Sequence, residues 1–77
     1  METTLDRLRV GECATVSALC TGGALRRRLM DFGLIEGTPV RCLRKSPAGS
    51  PVLYAVRGTV LALRTCDSRS IAVQPCG

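Results

Sequence analysis

Three consecutive arginines, Arg26, Arg27 and Arg28, and five cysteines, Cys13, Cys20, Cys42, Cys66 and Cys76, carry most of the chemistry in this 77-residue sequence. A guanidinium grips phosphate or carboxylate through planar, paired hydrogen bonds, so the arginines point to an acidic protein surface or to phosphate at a membrane face. Successive helical positions are about 100° apart, so three in a row spread over about 200° and cannot all serve one flat contact. Arg26 and Arg27 are favoured as contact residues over Arg28, which lies nearest the apolar side of its segment. The plainer reading of the trio is a solvated helix face with one stem lying over the core.

The cysteines are soft-metal ligands in principle. No Cys-x-x-Cys pair occurs, and the sequence has no histidine. A preformed tetrahedral site is therefore not expected, and Cys13, Cys20 and Cys42 read as small buried hydrophobes, with Cys76 exposed and oxidisable. If iron binds, it is expected to be held weakly or shared with a partner. The missing histidine also removes Cys-His and Ser-His catalysis. Lys45-Ser46 would need glycines at positions 39 and 44 to form a phosphate loop, and Pro39 and Arg44 stand there. The chain does not read as an enzyme.

A chain of this size is one domain, residues 1–77, and buries only roughly 60% of its unfolded surface. It is 45% hydrophobic and 22% charged with one Phe, one Tyr and no Trp, so its core must be aliphatic. Eleven Lys and Arg against six Asp and Glu leave a net charge of +5, and six of the eleven fall between Arg26 and Lys45. The basicity is regional, which favours an anionic partner. Two aromatics are too few for a proline-peptide groove or for stacking on single-stranded nucleic acid, so only phosphate contacts remain to a nucleic-acid reading. No apolar run reaches the length of a membrane span, and the first residues lack a secretory pattern. An odd number of cysteines without an export signal points to a reduced, cytosolic chain.

The elements that must position these residues follow from periodicity. Leu5 and Leu8 suit one short helical turn or a strap over the sheet. Residues 13–20 alternate as a first strand, which Gly22-Gly23 breaks. Leu25, Leu29 and Phe32 then recur at i, i+4 and i+7, predicting a basic helix from Ala24 of about two and a half turns. Gly33 stands where a left-handed cap would stop it, releasing Leu34-Ile35 as a hydrophobic plug. Asp31 is expected to brace the helix by pairing with Arg27 or Arg28.

Beyond the Glu36-Gly37 turn, residues 38–45 form a second strand whose two faces both carry apolar residues. The turn formers at 46–51 make a hairpin to residues 52–56, and Arg57-Gly58 makes another to residues 59–64. Residues 65–70 suit a single helical turn before a last strand at 71–73. Five short strands with hairpin signals predict a mainly β fold, a small five-stranded SH3-like barrel with one basic helix inserted between the first two strands.

Several motifs in this order resemble the FeoA family. They are Leu25-Arg26-Arg27-Arg28-Leu29-Met30-Asp31-Phe32-Gly33-Leu34, then Gly37-Thr38 and Val40, Pro47-Ala48-Gly49-Ser50-Pro51, Arg57-Gly58, and Leu61-Ala62-Leu63-Arg64. The resemblance spans roughly residues 10–74 and is far more specific than any one motif. Thr65 to Ser70 replaces the acidic, alanine-containing turn with which the family pattern often ends, and the cysteine content is high for the family.

The resemblance implies a small SH3-like accessory protein of bacterial ferrous iron uptake. It implies no enzymatic activity and a place on the cytosolic side of the membrane, where such proteins act with the large Fe(II) transporter that carries a GTP-binding domain. Arg26, Arg27 and Arg28 are then the candidate residues for binding that transporter. The same module also resembles the C-terminal domain of iron-dependent repressors. The alternative is thus a stand-alone metalloregulatory or nucleic-acid-binding module.

Overall fold

Leu5 and Leu8, three residues apart, are both buried, because the chain folds over them before the first long strand begins. The computed structural model describes residues 2–76. A two-residue strand, β1 (Thr3–Thr4), leads into a 3-10 turn (Leu5–Arg7). Then follow β2 (Cys13–Leu19), helix α1 (Gly23–Asp31), β3 (Pro39–Lys45), β4 (Val52–Val56), β5 (Thr59–Leu63), the short helix α2 (Thr65–Ser68) and β6 (Ile71–Pro75). The strands form one antiparallel sheet in the order β1-β6-β2-β3-β4-β5.

The expected five strands are present, α1 lies between the first two of them, and α2 is the single turn expected after Arg64. The sixth strand is β1, whose Thr3 and Thr4 pair with Val73 and Ala72 of β6. Two residues are too few to show a period, so sequence alternation could not announce it. At the other end of the order, β5 pairs with β4 and with no further strand among the described residues.

Alternation decides what each strand buries. In β4 the pattern is strict, with Val52, Tyr54 and Val56 in the core and Leu53 and Ala55 half-buried between them. In β3 the ambiguity of the two faces is resolved in favour of Val40 and Cys42, which are buried, while Arg41, Leu43 and Arg44 are exposed. The register with β4 shifts between Cys42 and Arg44, the irregularity of a β-bulge. In β5, Leu61 and Leu63 point inward and Val60 and Ala62 outward.

The β4–β5 connection is a two-residue hairpin in which Arg57 (φ 50°) and Gly58 (φ 78°) both adopt positive φ, between the closing pair Val56 and Thr59. That combination belongs to the turn whose twist matches flanking strands.

Tyr54 sits at the centre of the core and joins three elements. Its hydroxyl donates to the Leu5 carbonyl oxygen at 3.3 Å and stands 3.2 Å from the Ser68 hydroxyl, whose proton also reaches the Arg64 carbonyl at 3.2 Å. Two protons thus serve three contacts linking β4, the N-terminal turn and α2. Burial raises the Tyr54 hydroxyl above its ordinary 10.0, against a lowering by the Ser68 hydrogen bond. Burial likewise raises the Cys42 thiol above 9.0.

Both groups are neutral when folded, so the native state holds their protons to higher pH than the unfolded chain does. The stability tied to them is full below the unfolded values and is lost as pH rises through the raised ones. Tyr54→Phe is expected to cost about 1–2 kcal/mol by leaving the Leu5 carbonyl and Ser68 without their partner. It should also flatten the decline of stability above pH 10. Urea denaturation of both proteins from pH 7 to pH 11 measures both effects.

Candidate functional site

Helix α1 is held to the rest of the molecule mainly by its C-terminal end. Its N-cap, Gly22, makes no side-chain capping bond, and Leu29 is the one residue of the nine that is fully buried. Leu25 is partly buried against the same core. A nine-residue helix is too short to be stable alone.

The stop signal supplies what the start lacks. Gly33, at φ 94°, takes the left-handed position beyond Phe32; its N–H donates to the Met30 carbonyl at 2.9 Å and the Leu34 N–H to the Leu29 carbonyl at 3.0 Å. These are the two bonds of a Schellman motif, and Leu34 packs in the core with Leu29, as that motif's hydrophobic contact requires.

The loop that follows is closed by buried Thr38. Its hydroxyl donates to the Gly33 carbonyl at 2.8 Å and accepts from the Ile35 N–H at 3.3 Å. Its own N–H donates to the Ile35 carbonyl, and its carbonyl accepts from the Val16 N–H of β2. From the opposite side, the Arg57 side chain lies over Gly33, with its Cδ 3.3 Å from where a β-carbon would stand. The hairpin turn between β4 and β5 therefore meets the helix end directly.

This construction corrects several expectations. Phe32 and Ile35 are 46% and 40% exposed and do not belong to the core. Gly33 turns the chain so that only Leu34 of the expected plug enters the core, and this leaves the cap residue Phe32 and the plug's second residue, Ile35, outside. Asp31 makes no ion pair with Arg27 or Arg28; among the described residues the one ion pair within 4.0 Å joins Arg69 and Asp6. An exposed pair gains too little over solvent to fix two mobile side chains. Cys20 is exposed because β2 ends at Leu19, and Cys13 is only half-buried, whereas Cys42 is buried and Cys76 exposed as expected.

The three arginines are all exposed and diverge. The Arg26 guanidinium donates to the Leu19 carbonyl at 3.2 Å, tying the helix to the end of β2. Arg27 borders a shallow hollow with Met30 and Asp31 and makes no hydrogen bond or ion pair to a described residue. Arg28 faces the other way, into an open groove of about 650 Å³ between α1 and β5. Leu25 and Phe32 stand on the helix side of this groove, Val60 and Ala62 on the strand side, and Arg64 and Asp67 at its end.

Exposed Val60 and Phe32 give the groove apolar walls, and Arg28 and Arg64 make its charged rim. The sequence reading missed this groove. Its signal was the outward-facing Val60 in a strand that also buries Leu61 and Leu63. Among the described residues no group of three or more His, Cys, Asp or Glu side chains converges as a metal site.

Residues 3–75 match the profile of the FeoA domain. The FeoA protein from Chlorobium tepidum superposes with a TM-score of 0.92 at 33% identity, over 97% of this chain and 71% of that one. The FeoA of Stenotrophomonas maltophilia, solved with zinc and described as a prokaryotic SH3 domain protein, gives 0.84 at 32% identity, over 94% of this chain and 89% of that one. A manganese-dependent transcriptional repressor gives 0.88 at 18% identity, over 97% of this chain and 37% of that one, a likeness of fold alone.

A fusion of Fe(2+) transport protein A with the Fe(2+) transporter FeoB from Porphyromonas gingivalis is 26% identical over 70 residues. That alignment covers 91% of this chain and 8% of the fusion protein. The single six-stranded sheet with its inserted helix is thus the SH3-like fold expected from the motifs.

Gly33→Ala places an alanine in a left-handed conformation against Arg57, and Thr38→Val strips the loop of two hydrogen bonds. Each is expected to destabilise the protein by roughly 1–3 kcal/mol. An unchanged midpoint in urea denaturation for either variant would contradict this account of how α1 is held.

Proposed function

This chain belongs to the FeoA family, and we propose that it is a cytosolic accessory module of bacterial ferrous iron uptake that binds and regulates the Fe(II) transporter carrying a GTP-binding domain. The observation that carries this reading is the fusion relative, in which a segment like this one shares a polypeptide with the transporter FeoB. Two functions joined in one chain are functions that work at the same place. The domain's task is contact rather than catalysis, since it has no histidine to act as a base. Iron is the transporter's cargo, and Fe(II) that meets this chain is held weakly and in common with the partner.

The surface best suited to that contact is the groove between α1 and β5. The outer edge of β5 offers backbone N–H and C=O groups that a further strand can pair with. Phe32 and Val60 supply apolar anchorage, and Arg28 and Arg64 at the groove favour a partner segment flanked by carboxylates, with Arg27 free on the neighbouring helix face. Arg26 is less free for this role than its neighbours, because its guanidinium is engaged with Leu19.

The test is co-purification of this protein with the FeoB-type transporter of the same genome, together with iron uptake in cells. The Arg27→Glu, Arg28→Glu double variant alters two exposed side chains, so its unfolding midpoint should match the wild type. Its affinity for the transporter should fall roughly tenfold or more, with uptake reduced in parallel. Unchanged binding and uptake in the folded variant would remove Arg27 and Arg28 from the interface.

A further inference from the structure

The chain brings two of its cysteines face to face. The register of β2 with β6 pairs Thr15 with Gln74 and Ala14 with Pro75, which places Cys13 opposite Cys76. The Cys76 N–H donates to the Cys13 carbonyl at 3.0 Å, so the pairing runs one residue beyond the end of β6. Side chains of directly opposed residues project from the same face, and both cysteines line one shallow cleft with Arg41. Both thiols are free.

We infer that Cys13 and Cys76 are a peroxide-sensitive dithiol that closes reversibly into a disulfide between the start of β2 and the end of the last strand. Opposed residues of an antiparallel pair have α-carbons about 4.5–5.5 Å apart, within the span a disulfide bridges. The Cys13 thiol is raised above its ordinary 9.0, chiefly by the neighbouring Cys76 thiol and then by desolvation, against a lowering by Arg41.

The cleft favours this chemistry over metal binding. It holds two sulfurs and a guanidinium but no carboxylate or imidazole, so a tetrahedral divalent ion would find half of its ligands and a repelling charge.

The reaction balances with hydrogen peroxide as oxidant. Cys76, the more exposed thiol, attacks one peroxide oxygen as its thiolate. The O–O bond breaks, the other oxygen leaves as hydroxide, and Cys76 becomes a sulfenic acid. Cys13 then attacks the sulfenic sulfur; the S–O bond breaks as the S–S bond forms, and the departing hydroxide takes up a proton. Two thiols and one peroxide give one disulfide and two waters, with two electrons passing from sulfur to oxygen.

The experiment treats the reduced full-length protein with one equivalent of hydrogen peroxide, blocks remaining thiols by alkylation, cleaves after Arg and Lys, and maps the products by mass spectrometry. The expected product links the peptide of residues 10–26, which contains Cys13, to that of residues 70–77, which contains Cys76. Because Cys20 shares the first peptide, the same link must form undiminished in Cys20→Ser. It must vanish in Cys13→Ser, where Cys76 should proceed to a sulfinic acid or an intermolecular disulfide. Excess glutathione should return the linked form to two thiols. A Cys20–Cys76 link, or oxidation of Cys76 in the wild type with Cys13 still open to alkylation, would overturn the inference.

Discussion

The stop of helix α1 at Gly33 is the constraint from which the rest of the proposed contact surface follows. Three separate parts of the chain converge on that glycine: the helix whose Met30 carbonyl accepts from its N–H, the Thr38 hydroxyl that donates to its carbonyl, and the Arg57 side chain packed over it. A left-handed conformation is open to glycine at little cost, and the absence of a β-carbon is what lets Arg57 come close. Moving this point by one residue would rotate Leu29 away from the sheet and carry Leu34 out of the core. The helix has no strong start and little buried area of its own, so its end determines its direction.

One consequence is the set of apolar side chains left in solvent. Because the chain turns inward at Gly33, Leu34 is the residue that enters the core, and Met30, Phe32 and Ile35 remain around the helix end with 40% or more of their surface exposed. A small core could have used them. Tyr54 does internally what those residues do not: it fills the centre of the barrel and satisfies its polar end through Leu5 and Ser68. With a tyrosine in the core and a phenylalanine outside it, the chain's two aromatics are divided between stability and surface.

Much of the fold was legible in the sequence because its signals are local. Strand alternation, the Gly33 stop and the Arg57-Gly58 turn are each written within a few residues, and the structure follows them. The details that were not legible depend on what lies across space. Phe32 shares a helical face with Leu25 and Leu29 in projection, yet the turn at Gly33 that sends Leu34 into the core leaves it outside. Asp31 has two arginines at pairing distance along the helix, but solvent competes with the pair. Cys13 and Cys76 are 63 residues apart in number and adjacent through strand register. The groove beside β5 is likewise built by two segments that no local pattern connects.

The charge distribution clarifies how such a surface would hold a partner. With one long ion pair among the described residues, and Arg26 and Arg57 engaged with backbone, Arg27, Arg28 and Arg64 are not consumed in salt bridges within the fold. Their repulsion is a cost that an anionic partner would offset. Exposed charges are screened within about 8 Å at physiological salt, so arginines alone give speed and orientation of encounter more than lasting affinity. Affinity must come from apolar area that is dehydrated on contact, and that area lies between the charges, on Phe32 and Val60. A helix end that keeps Phe32 out of the core is therefore what places an apolar anchor beside Arg28, and the fold accepts a smaller core to keep it there.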